Sequence, residues 1–341
     1  MKAVVFRAGK GLAVENVPRP EIDPDQVLVR TADAGFCGSD HSMINGGGLP
    51  DGYILGHEAS GEVVEVGARV KGPRLGDRVM IRPTFCGACP DCLAGRPYFC
   101  QNNRRSIGIG DLPGGFAEYF KVYPGMLIEI PPGVDSRNAA LAEAFAASLH
   151  GLRCSGKNGG SALVLGGGPI GLALVRLLKI QGFGPVALSE PVEEKRAIAQ
   201  AFGVDAVIDP SRENLGLAVF QQTKGLGFET VFECSGRPDQ VDAGMNAAAR
   251  GGVVCVVSVI PQPIPINPIV LNFKEIWLTG SYSNTHEENR LCLRLMAEGR
   301  LDGRPLISDL IGLDDLPRVY DERIHPGKAL KVMIKIGPEW D

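Results

Sequence analysis

Four cysteines lie close together in the first third of the chain. Cys86, Cys89, Cys92 and Cys100 have the spacing C-x2-C-x2-C-x7-C. Four thiolates complete the tetrahedral shell of a zinc ion and leave no position open, so such a site stabilises a fold and does not catalyse. Two disulfides or free surface thiols are the alternatives, but crowded reduced thiols oxidise readily without a metal. The spacing predicts a structural zinc lobe over residues 86–100.

Three further residues of metal-binding type are scattered along the chain. Cys37 follows a predicted strand, His57 comes 20 residues later, and Glu143 lies in a predicted helix. A thiolate, an imidazole and a carboxylate form a three-ligand shell that keeps a fourth position for water or substrate, as catalytic zinc requires. Taken singly, each residue also has an ordinary interpretation as a small buried thiol or a satisfied polar side chain. The residue types make a catalytic zinc site a hypothesis that spacing alone does not decide.

A glycine-rich turn offers a place for a dinucleotide. Residues 162–165 are an apolar run typical of a buried strand, and Gly166, Gly168 and Gly171 follow as G-x-G-x-x-G before leucines at helical spacing. With 45 glycines in 341 residues, about 0.8 copies of this motif are expected by chance, so the strand and helix around it carry the argument. Glycines let the backbone approach a pyrophosphate, and a helix N-terminus favours negative charge. A tight turn before a core helix is the alternative.

An acidic residue indicates which dinucleotide binds. A second apolar run, 186–188, leads to Glu190, 19 residues beyond Gly171. A carboxylate at this offset can accept hydrogen bonds from the adenosine ribose hydroxyls, and it repels a 2′-phosphate. Lys195 and Arg196 are predicted on the outer face of the next helix. The sequence therefore favours NAD over NADP.

The pattern of elements divides the chain into two parts. Up to residue 150 the chain reads as mostly β, with a helix over 136–152 capped by Asp135 or Ser136. From about residue 155, short strands alternate with helices, which predicts a doubly wound parallel sheet. The tail contains a helix near 288–298 and a last strand at 330–336. The other predicted strands are 27–32, 61–66, 77–82 and 116–122, then 162–165, 186–188, 206–208, 230–232, 253–257 and 276–280.

Composition excludes several classes of function. A length of 341 residues suits two domains, and a net charge of −4 argues against binding nucleic acid. No apolar run reaches membrane-spanning length, and the first residues do not resemble a signal peptide. Nine cysteines without an export signal predict reduced thiols and a cytoplasmic location.

Taken together, these features resemble the zinc-dependent medium-chain dehydrogenase/reductase superfamily over nearly the whole chain. The resemblance implies an α/β protein with a mostly-β GroES-like catalytic domain, residues 1–150 and 287–341, and a Rossmann nucleotide-binding domain, residues 151–286. Besides the four-cysteine lobe, the motifs that carry it are CGSD at 37–40, GHEASGEVVEVG at 56–67, GDRV at 76–79, GGFAEY at 114–119, GGGPIG at 166–171 and FECSG at 232–236.

The resemblance assigns roles around a catalytic zinc. Cys37 and His57 would be ligands, and Glu143 falls where the sorbitol or polyol, sugar-alcohol-phosphate and threonine dehydrogenases place a third, carboxylate ligand. Glu58 matches a carboxylate that exchanges with water on the metal. Ser39 matches a residue that relays the substrate proton. With the lobe, the resemblance implies two zinc ions per chain.

The resemblance also implies the coenzyme site and the reaction. The zinc would polarise the substrate hydroxyl, and a hydride would pass reversibly between a secondary alcohol or polyol and the nicotinamide ring. The residues implied to bind the coenzyme are Gly166, Gly168, Pro169, Ile170, Gly171, Glu190 and Ser235.

The sequence departs from the family at a few positions. Many members have a proton-relay histidine five residues after the ligand cysteine, where this chain has Ser42, with His41 one residue earlier. Glu143 is followed by alanine and not by the usual proline, and Cys154 is a fallback ligand that we interpret as a structural thiol. Arg104 and Arg105 could bind a phosphate or carboxylate of the substrate, but a solvated pair of loop charges is the more ordinary interpretation.

The substrate is poorly encoded. A secondary alcohol or polyol is favoured, with an amino alcohol such as threonine or a sugar-alcohol phosphate as alternatives. A zinc-free quinone or enone reductase and a non-catalytic NAD-binding protein are rival hypotheses, and the presence of all the metal ligands argues against both. The segment 264–269 precedes a strand that pairs across a dimer edge in this family, so a homodimer or homotetramer is expected. No nucleic-acid or membrane partner is expected.

Overall fold

The structure is a computed structural model that describes residues 1–102, 106–264 and 266–340. The chain forms two compact units. The first, unit 1, comprises Met1–Glu143 and Asn284–Asp341, and the second, unit 2, comprises Ala144–Ser283. The division lies inside a helix and just before another, whereas the sequence analysis placed it at residues 150 and 287. Arg104 and Arg105, and Pro265 within the segment 264–269, lie outside the described residues.

Fifteen strands are present in the described part of the chain. In chain order they are β1 (Lys2–Arg7), β2 (Gly11–Asn16), β3 (Val27–Gly35), β4 (Glu58–Val66), β5 (Arg78–Ile81), β6 (Tyr119–Val122), β7 (Leu127–Glu129), β8 (Ala162–Leu165), β9 (Val186–Ser189), β10 (Ala206–Ile208), β11 (Phe228–Glu233), β12 (Ala248–Val256), β13 (Trp277–Gly280), β14 (Asp309–Gly312) and β15 (Val332–Lys335).

The α-helices of the described residues number ten, besides short 3-10 turns and one π-helical turn (Tyr320–Ile324). They are α1 (Gly38–Asn45), α2 (Pro90–Leu93), α3 (Ser136–Cys154), α4 (Pro169–Ile180), α5 (Glu193–Ala201), α6 (Leu215–Thr223), α7 (Pro238–Ala247), α8 (Pro268–Lys274), α9 (His286–Ala297) and α10 (Leu316–Val319). None of them has the length and hydropathy needed to cross a bilayer.

In unit 1, the pairing of β3 with β4 prepares a site. The unit contains a seven-stranded sheet, mainly antiparallel, in the order β14-β15-β3-β4-β5-β7 with β6 also on β3. Gly35 at the end of β3 pairs with Glu58 at the start of β4. Residues paired across antiparallel strands have Cα atoms about 4.5–5.5 Å apart. Cys37, two residues after β3, and His57, one residue before β4, therefore leave the sheet at the same end.

The core of unit 1 holds these strands in a fixed geometry. Val29 of β3 and Val63 of β4 pack with Ile81, Phe116 and Phe120, all almost completely buried. Close packing of this kind leaves little freedom for the strand ends. The loops that carry the candidate ligands therefore start from a rigid base.

Unit 2 is a parallel sheet with the order β10-β9-β8-β11-β12-β13. Its core includes Leu163, Leu165, Val231 and Val254, which are fully buried. The strand order reverses at β8: β9 and β10 follow on one side of it, and β11, β12 and β13 follow on the other. This reversal is the topological switch point, where ligands bind beyond the carboxyl ends of the strands. The glycine-rich turn follows β8 at this point.

The predicted fold class, a mostly-β part followed by a doubly wound parallel sheet, is confirmed. β8 and β10 have the predicted bounds, and α3 begins at the predicted residue. Asp135 caps it, since its Oδ1 accepts the backbone N–H of Asn138 at 2.8 Å. The sequence analysis missed β1, β2, β7 and β14. These strands lie in a two-stranded ribbon or at the two ends of the larger sheet, where pairing partners, and not the residue pattern, define a strand.

Candidate functional site

Three of the four predicted catalytic-site ligands converge in unit 1. Among the described residues, one ligand atom each from Cys37, His57 and Glu58 lie within 4.8 Å of one another. Cys37 occupies the N-cap position of α1. His57 and Glu58 are 4% and 1% exposed, and Cys37 is half-buried. Two strand ends and one helix start thus bring a thiol, an imidazole and a carboxylate together.

A buried aspartate orients the imidazole. Asp40 is fully buried, and its Oδ1 lies 3.2 Å from Nδ1 of His57. Its Oδ2 accepts the backbone N–H of Cys37 at 2.9 Å. Burial lowers the pKa of His57, but Asp40 and Cys37 outweigh it, so the pKa lies well above the ordinary value. A metal on Nε2 would displace the proton of that nitrogen and leave Nδ1–H donated to Asp40, the arrangement found around zinc-bound histidines.

Ser39 is next to the imidazole on the same side as the candidate ligands. Its Oγ lies 3.2 Å from Nε2 of His57. Since Nε2 is the nitrogen that would face a metal, the Ser39 hydroxyl lies within one hydrogen bond of the candidate site. The structure therefore brings Ser39 next to a predicted ligand, and its role as a proton relay stays a prediction.

Glu58 is paired with a buried lysine that the sequence analysis missed. Nζ of Lys331 forms an ion pair with Oε2 of Glu58 and donates to the carbonyl of Phe36 at 3.1 Å. Lys331 is 2% exposed. Burial lowers its pKa, but Glu58 and the Cys37 thiol outweigh it and raise the pKa above the ordinary value. Its only sequence signal was a lysine near the start of the predicted last strand, 330–336, a segment that also contains Lys335.

Glu143 is near this group but is not part of it. Its Oε1 accepts a hydrogen bond at 2.8 Å from Nδ2 of Asn284, and the residue is 8% exposed. Burial raises the pKa of Glu143, and the charge of Glu58 raises it further, while His57 opposes the shift. Cys154, eleven residues on at the end of α3, is about 16 Å along the helix axis from Glu143. The two residues therefore cannot be ligands of one ion.

His41, the possible substitute for the missing relay histidine, contacts an aromatic residue. Its Nδ1 lies 3.2 Å from the hydroxyl of Tyr320, which also accepts from Nδ2 of Asn45 at 3.0 Å. The ring of His325 is 5.6 Å from that of His41. Burial lowers the pKa of His41, and His325 adds to this effect. Ser42, at the family's usual relay position, donates to the carbonyl of Gly38 at 3.1 Å.

The four lobe cysteines form a second cluster in unit 1. Their sulfurs lie close together, with Cys86 to Cys92 at 3.8 Å and Cys89 to Cys100 at 4.0 Å. These distances exclude disulfides, whose sulfurs are about 2.05 Å apart. They match the edge of a tetrahedron of sulfurs about 2.3 Å from a zinc ion, which is about 3.8 Å. The lobe geometry therefore fits one zinc ion.

Backbone donors prepare part of the lobe for thiolates. The N–H of Cys89 points at Sγ of Cys86 at 3.3 Å, and that of Cys92 at Sγ of Cys89 at 3.4 Å. Burial raises the pKa of Cys86, but backbone donors outweigh it and lower the pKa to about 6. At Cys100 burial dominates and raises the pKa to about 12. A cation that binds all four as thiolates removes this difference.

In unit 2, the glycine-rich turn forms as predicted. Gly166 has φ +99, and a Cβ there would collide with Ser235. A Cβ on Gly171 would collide with the carbonyl oxygen of Gly166. Gly168 is the N-cap of α4 and Pro169 is its first residue. The turn is therefore tight, and the free N–H groups at the start of α4 can face an anion.

Glu190 and Ser235, the two predicted coenzyme-binding residues outside the turn, lie close to it. Glu190 is 5% exposed, and its Oε2 accepts the N–H of Gly167 at 2.6 Å. The carbonyl of Ile170, inside the first turn of α4, accepts from Oγ of Ser148 at 2.9 Å. Ser235 donates to Oε1 of Glu233 from both its N–H, at 2.7 Å, and its Oγ, at 2.5 Å. Glu233 is a fully buried carboxylate that the sequence analysis did not single out.

The prediction that Arg196 lies on an outer helix face is wrong. Its side chain is 12% exposed and forms an ion pair with Asp209 at 3.1 Å. Its Nη1 donates to the carbonyls of Glu190 at 2.8 Å and Pro191 at 2.7 Å. The guanidinium lies against the end of β9 because its acceptors, the Asp209 carboxylate and two backbone carbonyls, meet there, and helical periodicity carries no information about them.

Comparison with known proteins identifies the family. Residues 23–132 match the model of the alcohol dehydrogenase GroES-like domain, and residues 169–298 match that of zinc-binding dehydrogenases. The chain is 30% identical to the L-threonine 3-dehydrogenase of Rhizobium johnstonii, with 98% of each chain covered. It is 28% identical to the corresponding enzyme of Yersinia enterocolitica, with both chains fully covered.

Solved structures agree with this result. A protein of Sinorhizobium meliloti 1021, solved bound to NADP, has 35% identity and a TM-score of 0.89, with 98% of each chain covered. The galactitol-1-phosphate dehydrogenase of Escherichia coli has 26% identity and a TM-score of 0.91, covering 98% of this chain and all of its own. The chain therefore belongs to the zinc-dependent medium-chain dehydrogenases and is an oxidoreductase of the alcohol and polyol dehydrogenase type.

Proposed function

We propose that this enzyme transfers hydride reversibly between NAD and a secondary alcohol or polyol, with a catalytic zinc in unit 1 and a structural zinc in the four-cysteine lobe. The observation that carries the proposal is the convergence of Cys37, His57 and Glu58 within 4.8 Å. A bound zinc would supply Lewis-acid polarisation of the substrate hydroxyl, and a bound nicotinamide would supply the hydride acceptor.

The chain's own residues position the reactants and move the proton. Cys37 and His57 would hold the metal, and Asp40 fixes the ring by accepting a hydrogen bond from Nδ1–H, which leaves Nε2 for the metal. Ser39, within hydrogen-bond reach of Nε2, would accept the proton of the substrate hydroxyl on Oγ as it gives up its own Oγ–H proton, which leaves to solvent. His41 is not part of this proton path, since Nδ1 of its ring is hydrogen-bonded to the hydroxyl of Tyr320.

Two carboxylates compete for the third protein position. Glu58 is within the ligand group but is held by Lys331, while Glu143 is held by Asn284. We propose that Glu143 binds the zinc and that Glu58 exchanges with water on it. We propose that the four lobe sulfurs, which form no disulfide, bind the second zinc. Free thiolate ligands of this kind persist in a reducing compartment, so we propose a cytoplasmic location.

NAD is the proposed coenzyme. Glu190 lies at the end of β9, where its carboxylate can bind the ribose hydroxyls and would repel a 2′-phosphate. Arg196 is already bonded to Asp209 and to two carbonyls. Because the Sinorhizobium meliloti relative was solved with NADP, the ratio of kcat/KM for the two coenzymes is the direct test. A preference for NADP would refute this part of the proposal.

The relatives keep two narrower substrate classes open. One is an amino alcohol such as threonine, which carries a secondary hydroxyl at C3, and the other is a sugar-alcohol phosphate. The family match argues against the two rival functions, a zinc-free reductase and a non-catalytic NAD-binding protein. Neither needs a second metal site with an open position.

The test combines metal analysis with a substrate panel. The purified chain is analysed for zinc, and NAD reduction is measured with diols, sugar alcohols, their phosphates and threonine. We expect about two zinc ions per chain and activity with at least one class. One zinc ion per chain, or full turnover after a chelator removes the second, would refute the catalytic metal. Two zinc ions with no activity on the whole panel would refute the substrate class alone.

We also propose a homodimer or homotetramer that forms through β13. This strand is at one end of the unit 2 sheet and exposes Trp277 and Leu278, with Phe273 of α8 also exposed. An unpaired edge offers N–H and C=O groups to a second strand, and exposed apolar side chains mark interfaces. Light scattering is expected to give two or four chains for the wild type and fewer for Trp277→Arg. A monomeric wild type would refute the proposal.

A further inference from the structure

Glu143 receives its hydrogen bond from a residue with no other evident task. Asn284 is fully buried, and its Nδ2 donates to Oε1 of Glu143 at 2.8 Å. The other oxygen of Glu143, Oε2, accepts no hydrogen bond from any of the described residues. Asn284 immediately precedes the cap of α9, 141 residues along the chain from Glu143. The contact therefore depends on the tertiary structure and not on a local turn.

The amide of Asn284 has only one satisfactory orientation. Nδ2 of Asn289, also fully buried, donates to Oδ1 of Asn284 at 2.9 Å and to the carbonyl of Thr285 at 2.8 Å. An amide nitrogen can only donate. The atom of Asn284 that faces Asn289 must therefore be its oxygen, so its NH2 group must face Glu143.

A buried arginine fixes the backbone of Asn284. Arg82 is fully buried, and its Nε and Nη2 both donate to the carbonyl oxygen of Asn284, at 3.2 and 2.6 Å. Burial lowers the pKa of Arg82 to about 10, against the charges of Glu143 and of the lobe thiols Cys92 and Cys100. Arg82 directly follows β5, so these two hydrogen bonds tie the backbone of Asn284 to the sheet of unit 1.

We infer that Asn284, oriented by Asn289 and Arg82, is a positioning residue that holds one carboxylate oxygen of Glu143 so that the other is presented to the catalytic zinc. This inference rests on the proposed function, because it needs a zinc ion that Glu143 binds. Asn284 does not touch the substrate. It acts by removing the freedom of the Glu143 side chain to turn away, which is how hydrogen bonds behind a ligand raise metal affinity.

The decisive variant is Asn284→Asp, which keeps the shape but replaces the donor by an acceptor facing a carboxylate. Zinc affinity of each site is measured by competition with a chelator, and the absorption spectrum is recorded after cobalt replaces the catalytic zinc. Losing such a partner typically costs about 10–100-fold in metal affinity. We expect that loss at the catalytic site, an altered cobalt spectrum, and an unchanged affinity of the lobe.

A matched control separates positioning from general destabilisation. Asn138 is another buried asparagine of unit 1, bonded to Asp135 and to the N–H of Gly303. Asn138→Asp is expected to lower thermal stability without changing the cobalt spectrum or the affinity for the catalytic zinc. Equal metal loss in both variants would refute a specific role for Asn284.

A second variant covers the case in which Asn284→Asp does not fold. Asn289→Ser removes the donor that orients the amide, so we expect a smaller loss of catalytic zinc affinity with a similar spectral change. Wild-type zinc affinity and spectrum in the variants, with two zinc ions in the wild type, would overturn the inference and leave the proposed function intact. One zinc ion in the wild type would instead refute both.

Discussion

The two candidate metal centres of unit 1 are built in opposite ways. All four ligands of the lobe lie between Cys86 and Cys100, and backbone N–H groups of the same segment point at two of the sulfurs. The other centre draws Cys37, His57 and Glu58 from two strand ends, with Glu143 on a helix nearby. Each of its carboxylates and its imidazole has a buried partner from elsewhere in the chain.

This difference teaches what each centre needs from the fold. A closed four-thiolate shell needs only a short chain that can turn around an ion, because no fourth position has to be kept open. A catalytic shell must keep one position free and hold its ligands against relaxation around the ion. The buried partners Asp40, Lys331 and Asn284 provide that constraint.

The largest effect is expected from a variant that removes a ligand of the candidate catalytic centre alone. Cys37→Ser removes a thiolate, and loss of a zinc ion that acts as a Lewis acid costs several kcal/mol in the transition state, so kcat should fall on the order of 10³-fold. Zinc analysis should show one ion lost and the lobe ion kept. Cys154→Ser is the control, and it should retain both ions and full activity. Metal loss in the control would refute our assignment of the ligands.

Removing a ligand of the four-cysteine lobe should lower the thermal stability of the protein more than its kcat. Cys100→Ser removes a lobe ligand, and because structural zinc binding contributes directly to folding, the thermal midpoint should fall by roughly 10 °C. Below the midpoint, the folded enzyme should retain its catalytic zinc and most of its kcat. Calorimetry and steady-state kinetics on one preparation test this. A wild-type midpoint would show that the lobe holds no ion.

A milder change tests the buried partners. Asp40→Asn keeps the shape but weakens the acceptor for Nδ1 of His57, so catalytic zinc affinity or kcat should fall about 10–100-fold. Asp91→Asn makes the same change on the lobe, where Asp91 bonds only to exposed Arg96 and Gln101 among the described residues. We expect no measurable change there. Equal effects of the two variants would remove the distinction between the centres.

A similar test applies to the coenzyme site of unit 2. Glu190→Gln removes the charge but keeps an oxygen for the N–H of Gly167, so we expect KM for NAD to rise about 10-fold with kcat unchanged. Discrimination against NADP should weaken at the same time. Glu193→Gln, on an exposed residue of α5, is the control. An unchanged KM for NAD in Glu190→Gln would contradict the assigned role.

The smallest effect at neutral pH concerns His286, which packs on Phe85 beside the lobe and contacts the carbonyl of Gly125. Burial lowers its pKa to about 4, from an ordinary value of 6.5. Between these values the unfolded chain binds more protons than the folded chain, so this contribution to stability is lost as pH falls from about 6.5 to 4. Denaturation of His286→Gln should show a shallower loss of stability over this range, whereas a slope equal to the wild type would contradict the prediction.

The sequence was most informative where the candidate ligands, or the glycines of a turn, lie close together along the chain. The spacing of the four cysteines predicted a cluster whose sulfurs lie within bonding reach of one ion. The glycine turn was predicted because strand, turn and helix are contiguous, and Glu190 because the offset to the next strand is nearly fixed in a βαβ unit. Arg196 was placed wrongly because its acceptors come from different segments of the chain.

The residues that the sequence analysis missed are those with distant partners. Lys331 had a weak signal as a charge in an apolar run, whereas Asn284, Arg82 and Tyr320 had none, because their roles depend on contacts formed across hundreds of residues. No local pattern encodes such contacts, since they arise from the packing of strands and helices that are remote in the chain.

By itself, therefore, the sequence determined the two-part architecture, the four-cysteine cluster and the glycine-rich turn, because each follows from periodicity or from spacing within a short segment. It also supplied Cys37, His57 and Glu58 as candidates. Only the tertiary structure decided that these three meet, since their proximity follows from the register of β3 and β4. It also decided that Glu143 is held by Asn284, because burial makes hydrogen-bond partners for a carboxylate obligatory.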